Sequence, residues 1–370
     1  MKKNALLILL LLVLLACESA NNIMPSKVIQ ENIISGKKPK NIILMIGDGM
    51  GISQITAGMY RNGNTLHLER FPVIGIHKPY AVNNLITDSA AGATAFACGQ
   101  KTYNGAVAVD RDSLPLKTIL EEAKEHQLAT GLVATSTIVH ATPASFIAHV
   151  DSRYKYEEIA PYFLETEVDY FVGGGKKYFN QRADNKNLLE TLQQKGYAVF
   201  DYNQQKLSNQ VMKGDKKIAC FTHEDSPEPY AKGRDYLVPA SKQAPLFLNK
   251  KSEKGFFLMI EGSQIDWGGH DNDSEYIISE MIDFDKAVGA ILDFAETDGE
   301  TLVIVTADHE TGGYAVNKGS TLDTIIGRFT TGDHTAALIP VFAYGPGSEI
   351  FSGIYENTAI YDKMKVAFGF

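Results

Sequence analysis

Three apolar runs in this chain each end in an acid. Asn41-Ile-Ile-Leu-Met-Ile-Gly leads to Asp48, Phe256-Phe-Leu-Met-Ile to Glu261, and Thr301-Leu-Val-Ile-Val-Thr-Ala to Asp308, with His309 beside it. A nearly all-apolar run of this length reads as a buried parallel strand. Parallel α/β sheets carry their ligands just beyond the carboxyl ends of the strands. Three acids from distant parts of the chain are therefore expected at one edge of one sheet. Clustered carboxylates repel one another and are costly to desolvate unless cations hold them together, so the pattern points to a multi-metal site. Three unrelated strand-end acids in solvent would explain each run taken alone.

The N-terminus is of a different kind. Lys2 and Lys3 precede a leucine-rich run, Ala5 to Leu15, that ends at Leu14-Leu15-Ala16-Cys17. A basic start and a short apolar core form a secretory signal, here residues 1–16, shorter than the ~20 residues of a membrane-spanning helix. The small residue before Cys17 resembles a bacterial lipobox, so Cys17 is expected to become the acylated first residue of an exported protein, lipid-anchored at the cell envelope (periplasm or outer membrane). A simple cleaved signal with an incidental cysteine is the alternative. Residues 17–38 are polar and read as a tether.

The remainder has room for one large α/β domain with insertions, or for two domains. The formal charge is −9, and becomes more negative once Lys2 and Lys3 leave with the signal. No Lys/Arg-rich stripe argues for nucleic acid. An acidic protein binds an anionic substrate only where its site is locally positive, a second reason to expect metal. Cys98 and Cys220 are too few for a disulfide framework; a buried free thiol is favoured for Cys98, and a bridge between the two is left open.

Strands are predicted at Val73–His77, Gly131–Thr135, Tyr170–Val172 and Pro340–Ala343, and helices at Ser89–Cys98, Pro115–His126, Pro143–Val150 and Ser274–Ala295, the last with Ser274 as N-cap. Alternation of strands and helices argues for a mostly parallel sheet covered on both faces. The stretch 165–249 is more polar and aromatic, and is expected to form an insertion or cap over the site.

Individual chemical signals are weak. Asp266-Trp-Gly-Gly-His270 places a carboxylate and an imidazole four residues apart, Asp308-His309 places them side by side, and His334 stands before an apolar run. These are suitable zinc donors. Ser89, at the start of a small-residue helix, reads either as an N-cap or as a nucleophile at the positive end of the helix, where phosphate and a developing alkoxide are favoured. Thr142-Pro143 is an ordinary helix start or a hard oxygen donor for magnesium. Arg153 is a surface arginine or a bidentate phosphoryl clamp.

Taken together, Met45-Ile-Gly-Asp-Gly-Met-Gly51, Thr87-Asp-Ser-Ala-Ala91, Gln100-Lys-Thr-Tyr-Asn-Gly105, Ala141-Thr-Pro-Ala144, Glu261-Gly-Ser-Gln-Ile-Asp266 and Thr306-Ala-Asp-His-Glu-Thr311 resemble the alkaline phosphatase family. The resemblance implies a three-layer α/β/α sandwich with a large, mostly parallel central sheet, formed by residues 39–370. It implies hydrolysis of small-molecule phosphate monoesters through a phosphoserine, with two Zn²⁺ and one Mg²⁺. Ser89 then matches the nucleophile, and Asp266, His270 and His334 the ligands of one zinc. Asp48, Asp308 and His309, with Ser89, match those of the other, and Asp48, Thr142 and Glu261 the magnesium ligands. Arg153 matches the phosphate clamp and Asp88 the acid that orients it. His140 and Trp267 depart from the best-known bacterial pattern, which has an aspartate near magnesium and a lysine near phosphate. Four carboxylates make the bare site net negative; three dications with Arg153 make it net positive. The chain is short for the family, and a homodimer is left open. The competing expectations are a phosphodiesterase or sulfatase on the same scaffold, or a lipid-anchored phosphate- or metal-binding protein without catalysis.

Overall fold

The computed structural model describes residues 36–207 and 215–370. The expected signal, Cys17 and most of the tether lie outside the described residues. Ten strands form one sheet in the order β14-β2-β13-β8-β1-β7-β3-β4-β6-β5. They are β1 (Asn41–Gly47), β2 (Val73–Lys78), β3 (Ala129–Thr137), β4 (Tyr170–Gly174), β5 (Tyr197–Asp201), β6 (Lys217–Phe221), β7 (Phe256–Gly262), β8 (Thr301–Thr306), β13 (Ile339–Tyr344) and β14 (Gly353–Glu356). Two short antiparallel pairs lie outside it: β9 (Glu310–Thr311) with β12 (His334–Thr335), and β10 (Ala315–Val316) with β11 (Gly327–Arg328). Every pairing in the large sheet is parallel except those of β13, which runs against both β2 and β8.

The apolar runs are continuous because the central strands are buried on both faces. Side chains alternate along β1: Ile42, Leu44 and Ile46 enter one hydrophobic core, Ile43 and Met45 the other. The first core is closed by the helices Ser89–Cys98, Ile119–Glu125 and Ala359–Phe368, the second by Leu237–Lys251 and Ser274–Asp298. This is the expected three-layer sandwich. Each fully buried Ile, Leu or Phe contributes roughly 1.5–3 kcal/mol relative to exposure.

Several local expectations are corrected. The described residues of 165–249, expected as an insertion or cap, are instead continuous with the main sheet. They supply β4, β6 and β5 and the helix Leu237–Lys251, packed on β3 and β7. These strands are only five residues long and lie toward one end of the sheet, and β5 is only partly buried, so they lack the apolar signature of the centre. The helix expected over Pro143–Val150 is a single turn, Ala141–Ala144. The long helix begins at Ser274, but its N-cap is Asp273, whose carboxylate accepts from the amides of Glu275 and Tyr276. Cys98 and Cys220 are buried free thiols. No helix among the described residues is long and apolar enough to cross a membrane.

One contact behind the site carries a pH signature. The Ile119–Glu125 helix opens with a Thr118–Glu121 capping box. His149 Nε2 lies 2.9 Å from Glu121 Oε1, and its Nδ1 lies 3.0 Å from the Ala108 carbonyl. Both ring nitrogens face acceptors, so the imidazole satisfies both only when doubly protonated. Burial opposes that charge, but Glu121 and the carbonyl prevail and raise the His149 pKa. A raised native pKa adds stability that is full below the ordinary histidine value of about 6.5 and is lost as pH rises through the native value. Unfolding in urea should therefore show a wild-type advantage over His149→Gln of about 1 kcal/mol at mildly acid pH, shrinking at alkaline pH. A gap that widens with pH would mean the ring is neutral.

Candidate active site

The four central parallel strands end side by side. In the order β8, β1, β7, β3 they deliver Asp308 and His309, Asp48, Glu261, and the short Thr142 helix. Ile46 lies level with Glu261 on one side and Thr306 on the other, so Asp48 projects just beyond Glu261. Because β13 is antiparallel, the chain enters it at this same edge. His334 pairs with Thr311 there, and its ring stacks on His309 with centroids 3.5 Å apart. Gly49 lets the Asp48 turn close over the site. Its φ is +74°, and a Cβ would stand 2.6 Å from the Asp266 Cα.

Ser89 lies on the helix approaching from outside the strand ends. The helix cap is Asp88, whose Oδ1 accepts from Ala91 N at 2.9 Å. Ser89 is therefore the first helical residue, and its hydroxyl is not consumed by capping. That hydroxyl lies 3.4 Å from His309 Nε2 in a site where Ser89 is 1% exposed. The small-residue composition of the helix allows this approach: a Cβ on Gly92 would come within 2.9 Å of the Asp308 Cβ.

Asp48, Asp308 and His309 offer ligand atoms within one cluster, and Asp266, His309 and His334 within a second. His309 Nε2 is 3.4 Å from Asp48 and 3.5 Å from Asp308. Asp266 is 3.4 Å from His270 Nε2 and 3.4 Å from His334 Nε2, and the two histidine nitrogens are 3.1 Å apart. His270 thus joins the second group, although it is more exposed. His270 Nδ1 and His334 Nδ1 face the backbone carbonyls of Gly332 and Thr87 at 2.7 and 2.9 Å. Those carbonyls accept hydrogen bonds from Nδ1–H, which leaves each Nε2 lone pair for a cation.

The carboxylates are unsatisfied. Both oxygens of Asp48, Oδ2 of Asp308, Oε1 of Glu261 and the Thr142 hydroxyl are buried without a hydrogen-bond partner. The Thr142 hydroxyl lies near enough to Glu261 to stabilise its charge but outside hydrogen-bond geometry. Asp308 Oδ1, by contrast, accepts from the amides of Gly49 and His309. Buried polar groups in folded proteins are otherwise almost always paired, so these orphaned oxygens fit divalent cations. Burial, reinforced by the neighbouring acids, drives the Asp48 pKa well up, that of Glu261 to about 7 and that of Asp308 to about 6. Asp266 goes the other way: burial is outweighed by hydrogen bonds from His270 and His334. Its carboxylate in turn lifts His270 to about 9.

Arg153 sits at the rim. Its Nη1 donates to Asp88 Oδ2 at 2.9 Å, and its Nη2 lies 3.4 Å from His140 Nε2. Burial, with Arg153 adding to it, presses His140 down to about 3, so the ring is neutral. Trp267 is half-buried, edge-on to His140 at 6.3 Å.

The family model for alkaline phosphatase matches residues 39–326. Alkaline phosphatase 3 of Bacillus subtilis is 36% identical, the match covering 87% of each chain. The structure of alkaline phosphatase from the Antarctic bacterium TAB5 superposes with a TM-score of 0.84 at 45% identity, over 90% of this chain and 99% of that one. The chain belongs to the alkaline phosphatase family. A histidine-to-glutamate variant of the TAB5 enzyme, 44% identical and with a TM-score of 0.83 over 90% and 99% of the two chains, was solved with magnesium bound in its M3 site.

Membership makes the chain an enzyme of the alkaline phosphatase type and makes it metal-dependent. Other residues of this alkaline phosphatase gain their significance only from the fold. The Thr311 hydroxyl donates to Asp266 Oδ1 and lies 3.2 Å from His309 Nδ1. Ser136 donates to Glu261 Oε2 at 3.4 Å. The Gln264 amide donates to the carbonyls of Thr135 and Pro227, fixing the start of the Asp266 helix. Thr311 and Gln264 lie inside family motifs, the one signal that could have marked them; Ser136 carries none.

Proposed function

We propose that this enzyme hydrolyses phosphate monoesters by two successive in-line displacements through phosphorylated Ser89, with two zinc ions and one magnesium. The observation that carries this reading is an uncommitted serine hydroxyl beside buried carboxylate oxygens that lack partners. Asp266, His270 and His334 would hold one zinc, Asp48, Asp308 and His309, with Ser89, the second, and Asp48, Thr142 and Glu261 the magnesium. When bound, such ions supply positive charge that favours the serine alkoxide, the departing alcohol oxygen and an ionised water.

Ser89 Oγ attacks phosphorus, the ester oxygen leaves with its electron pair and takes a proton as alcohol, and the serine becomes phosphorylated. Water then attacks the phosphorus of the phosphoserine, the Oγ–P bond breaks, Oγ takes up a proton to restore the Ser89 hydroxyl, and inorganic phosphate departs. Arg153, aligned by Asp88, takes two non-bridging oxygens in its planar fork as charge spreads over them. Neutral His140 leaves the Arg153 charge unopposed on that side. Its imidazole also weakens the preference of the third position for magnesium over zinc, a point that elemental analysis of the purified protein addresses. Trp267 contributes no charge to the phosphate.

Thr142, Glu261 and Arg153 favour a monoesterase over a diesterase, and no motif for a modified sulfatase residue is found. Turnover of an aryl phosphate is expected to exceed that of the bis-aryl phosphate and the aryl sulfate by at least about a hundredfold. Faster diester turnover would overturn the monoester reading, and phosphate binding without turnover would favour the non-catalytic alternative. The proposal extends to lipid attachment at Cys17, with export to the cell envelope, supported by the lipobox-like Leu14-Leu15-Ala16-Cys17.

A further inference from the structure

The Gln100–Gly105 motif holds no ligand atom and no nucleophile. We propose that Asn104, assisted by Gly105, is a positioning residue that holds the Ser89 segment in register with both Arg153 and His334. The proposal rests on the roles given above to Ser89 and Arg153.

The Asn104 side chain grips the backbone on both sides of Thr87. Its Oδ1 accepts from Asp88 N at 3.1 Å, and its Nδ2 donates to the Ile86 carbonyl at 3.0 Å. The segment it holds is exposed at Leu85 and Ile86, so little packing fixes it otherwise. Three active-site groups depend on this segment. Thr87 presents the carbonyl that faces His334 Nδ1. Asp88 caps the Ser89 helix and pairs with Arg153. Ser89 follows directly.

Gly105 completes the link. Its amide donates to Asp88 Oδ2 at 3.0 Å, and its carbonyl accepts from Arg153 N at 2.7 Å. Its φ of +91°, a value that favours glycine, turns the two groups toward those partners, and a Cβ would meet nothing within 4 Å. The requirement there is conformational rather than steric. Just beyond, Thr94 ties the strip to the Ser89 helix by accepting from Ala108 N at 2.9 Å and donating to the Ala106 carbonyl at 3.2 Å. Asn104 and Gly105 thus bridge the nucleophile, the arginine and a histidine that arrive from three distant parts of the chain.

The test compares metal-loaded wild type with Asn104→Ala, normalised to folded protein by circular dichroism and metal content. Aryl phosphate kcat/KM is expected to fall about ten- to a hundredfold, as misplacements near 1 Å do. Inhibition by inorganic phosphate should weaken in parallel, because the arginine fork no longer meets the phosphoryl group held at Ser89. A purely structural residue would lower the yield or Tm while leaving kcat, KM and phosphate inhibition of the folded fraction unchanged; that result would overturn the proposal. Asn104→Asp keeps an acceptor for Asp88 N and serves if Asn104→Ala does not fold, with a smaller fall expected and values within twofold of wild type again overturning it. Wild-type turnover reads the parent mechanism separately. Inactive wild type overturns that mechanism and this inference together, whereas active wild type with unaltered variants overturns this inference alone.

Discussion

Ser89→Ala should lose covalent labelling by phosphate entirely and lose at least about a thousandfold in turnover, the scale expected when a nucleophile that works as part of a unit is deleted. The structure makes the test clean. Ser89 caps nothing, so the substitution removes one oxygen without unseating the helix, which Asp88 continues to cap. Ser89 is buried and the added cavity is a single atom, so the Tm should stay within a few degrees. Loss of activity with intact folding separates chemistry from structure. Labelled phosphate that still attaches covalently to the folded variant would place the nucleophile elsewhere.

Removing the metals should have the other large effect, on stability as well as on turnover. Binding to the native state alone at a thousandfold over Kd contributes about 4 kcal/mol per ion. Stripping them also leaves Asp48, Glu261 and Asp308 buried together, with only Arg153 and the nearby histidines to offset their charge. The sign of the pH dependence follows. In the metal-free protein their pKa values are raised, Glu261 to about 7 and Asp308 to about 6, with Asp48 well up. The native state then holds more protons than the unfolded chain, whose carboxyls titrate near 4. Their contribution to the stability of the stripped protein is therefore largest near or below that pH and declines as pH rises through the native values toward 7. A strong chelator should abolish turnover and lower Tm more at about pH 8 than at about pH 5, and zinc plus magnesium should restore both. Full activity in protein shown by elemental analysis to lack metal would refute the site.

The parts of the site that the sequence made legible are those borne by central strands. A strand buried on both faces must be apolar along its length, and the first acid after it stands out; Asp48, Glu261 and Asp308 were visible for that reason. The strand at Pro340–Ala343 is legible too, but its antiparallel direction is not, because a short strand's direction leaves no trace in its composition, yet that direction brings His334 to the same edge. The strands β4, β6 and β5 read as an insertion or cap because they are short, toward one end of the sheet and, at β5, partly exposed, so they lack the long apolar run of the central strands. The cap expected at Ser274 lies one position earlier, at Asp273, and of the two readings given for Ser89 the capping one belongs instead to Asp88. One-residue shifts of this kind are set by the turn leading into the helix, not by the capping residue itself.

By itself, then, the order of residues determined a doubly covered sheet and its acid-tipped strands, since burial and periodicity are local demands that each segment meets on its own, while the family of chemistry came from the resemblance of its motifs. Only the tertiary structure decided which oxygens were left without partners, that Ser89 is free of its helix cap, and that Asn104 spans Thr87. The cap and the Asn104 grip depend on the exact turn geometry, and the pattern of paired and orphaned site oxygens on contacts between segments up to 259 residues apart, which are fixed by packing that no local stretch of chain encodes.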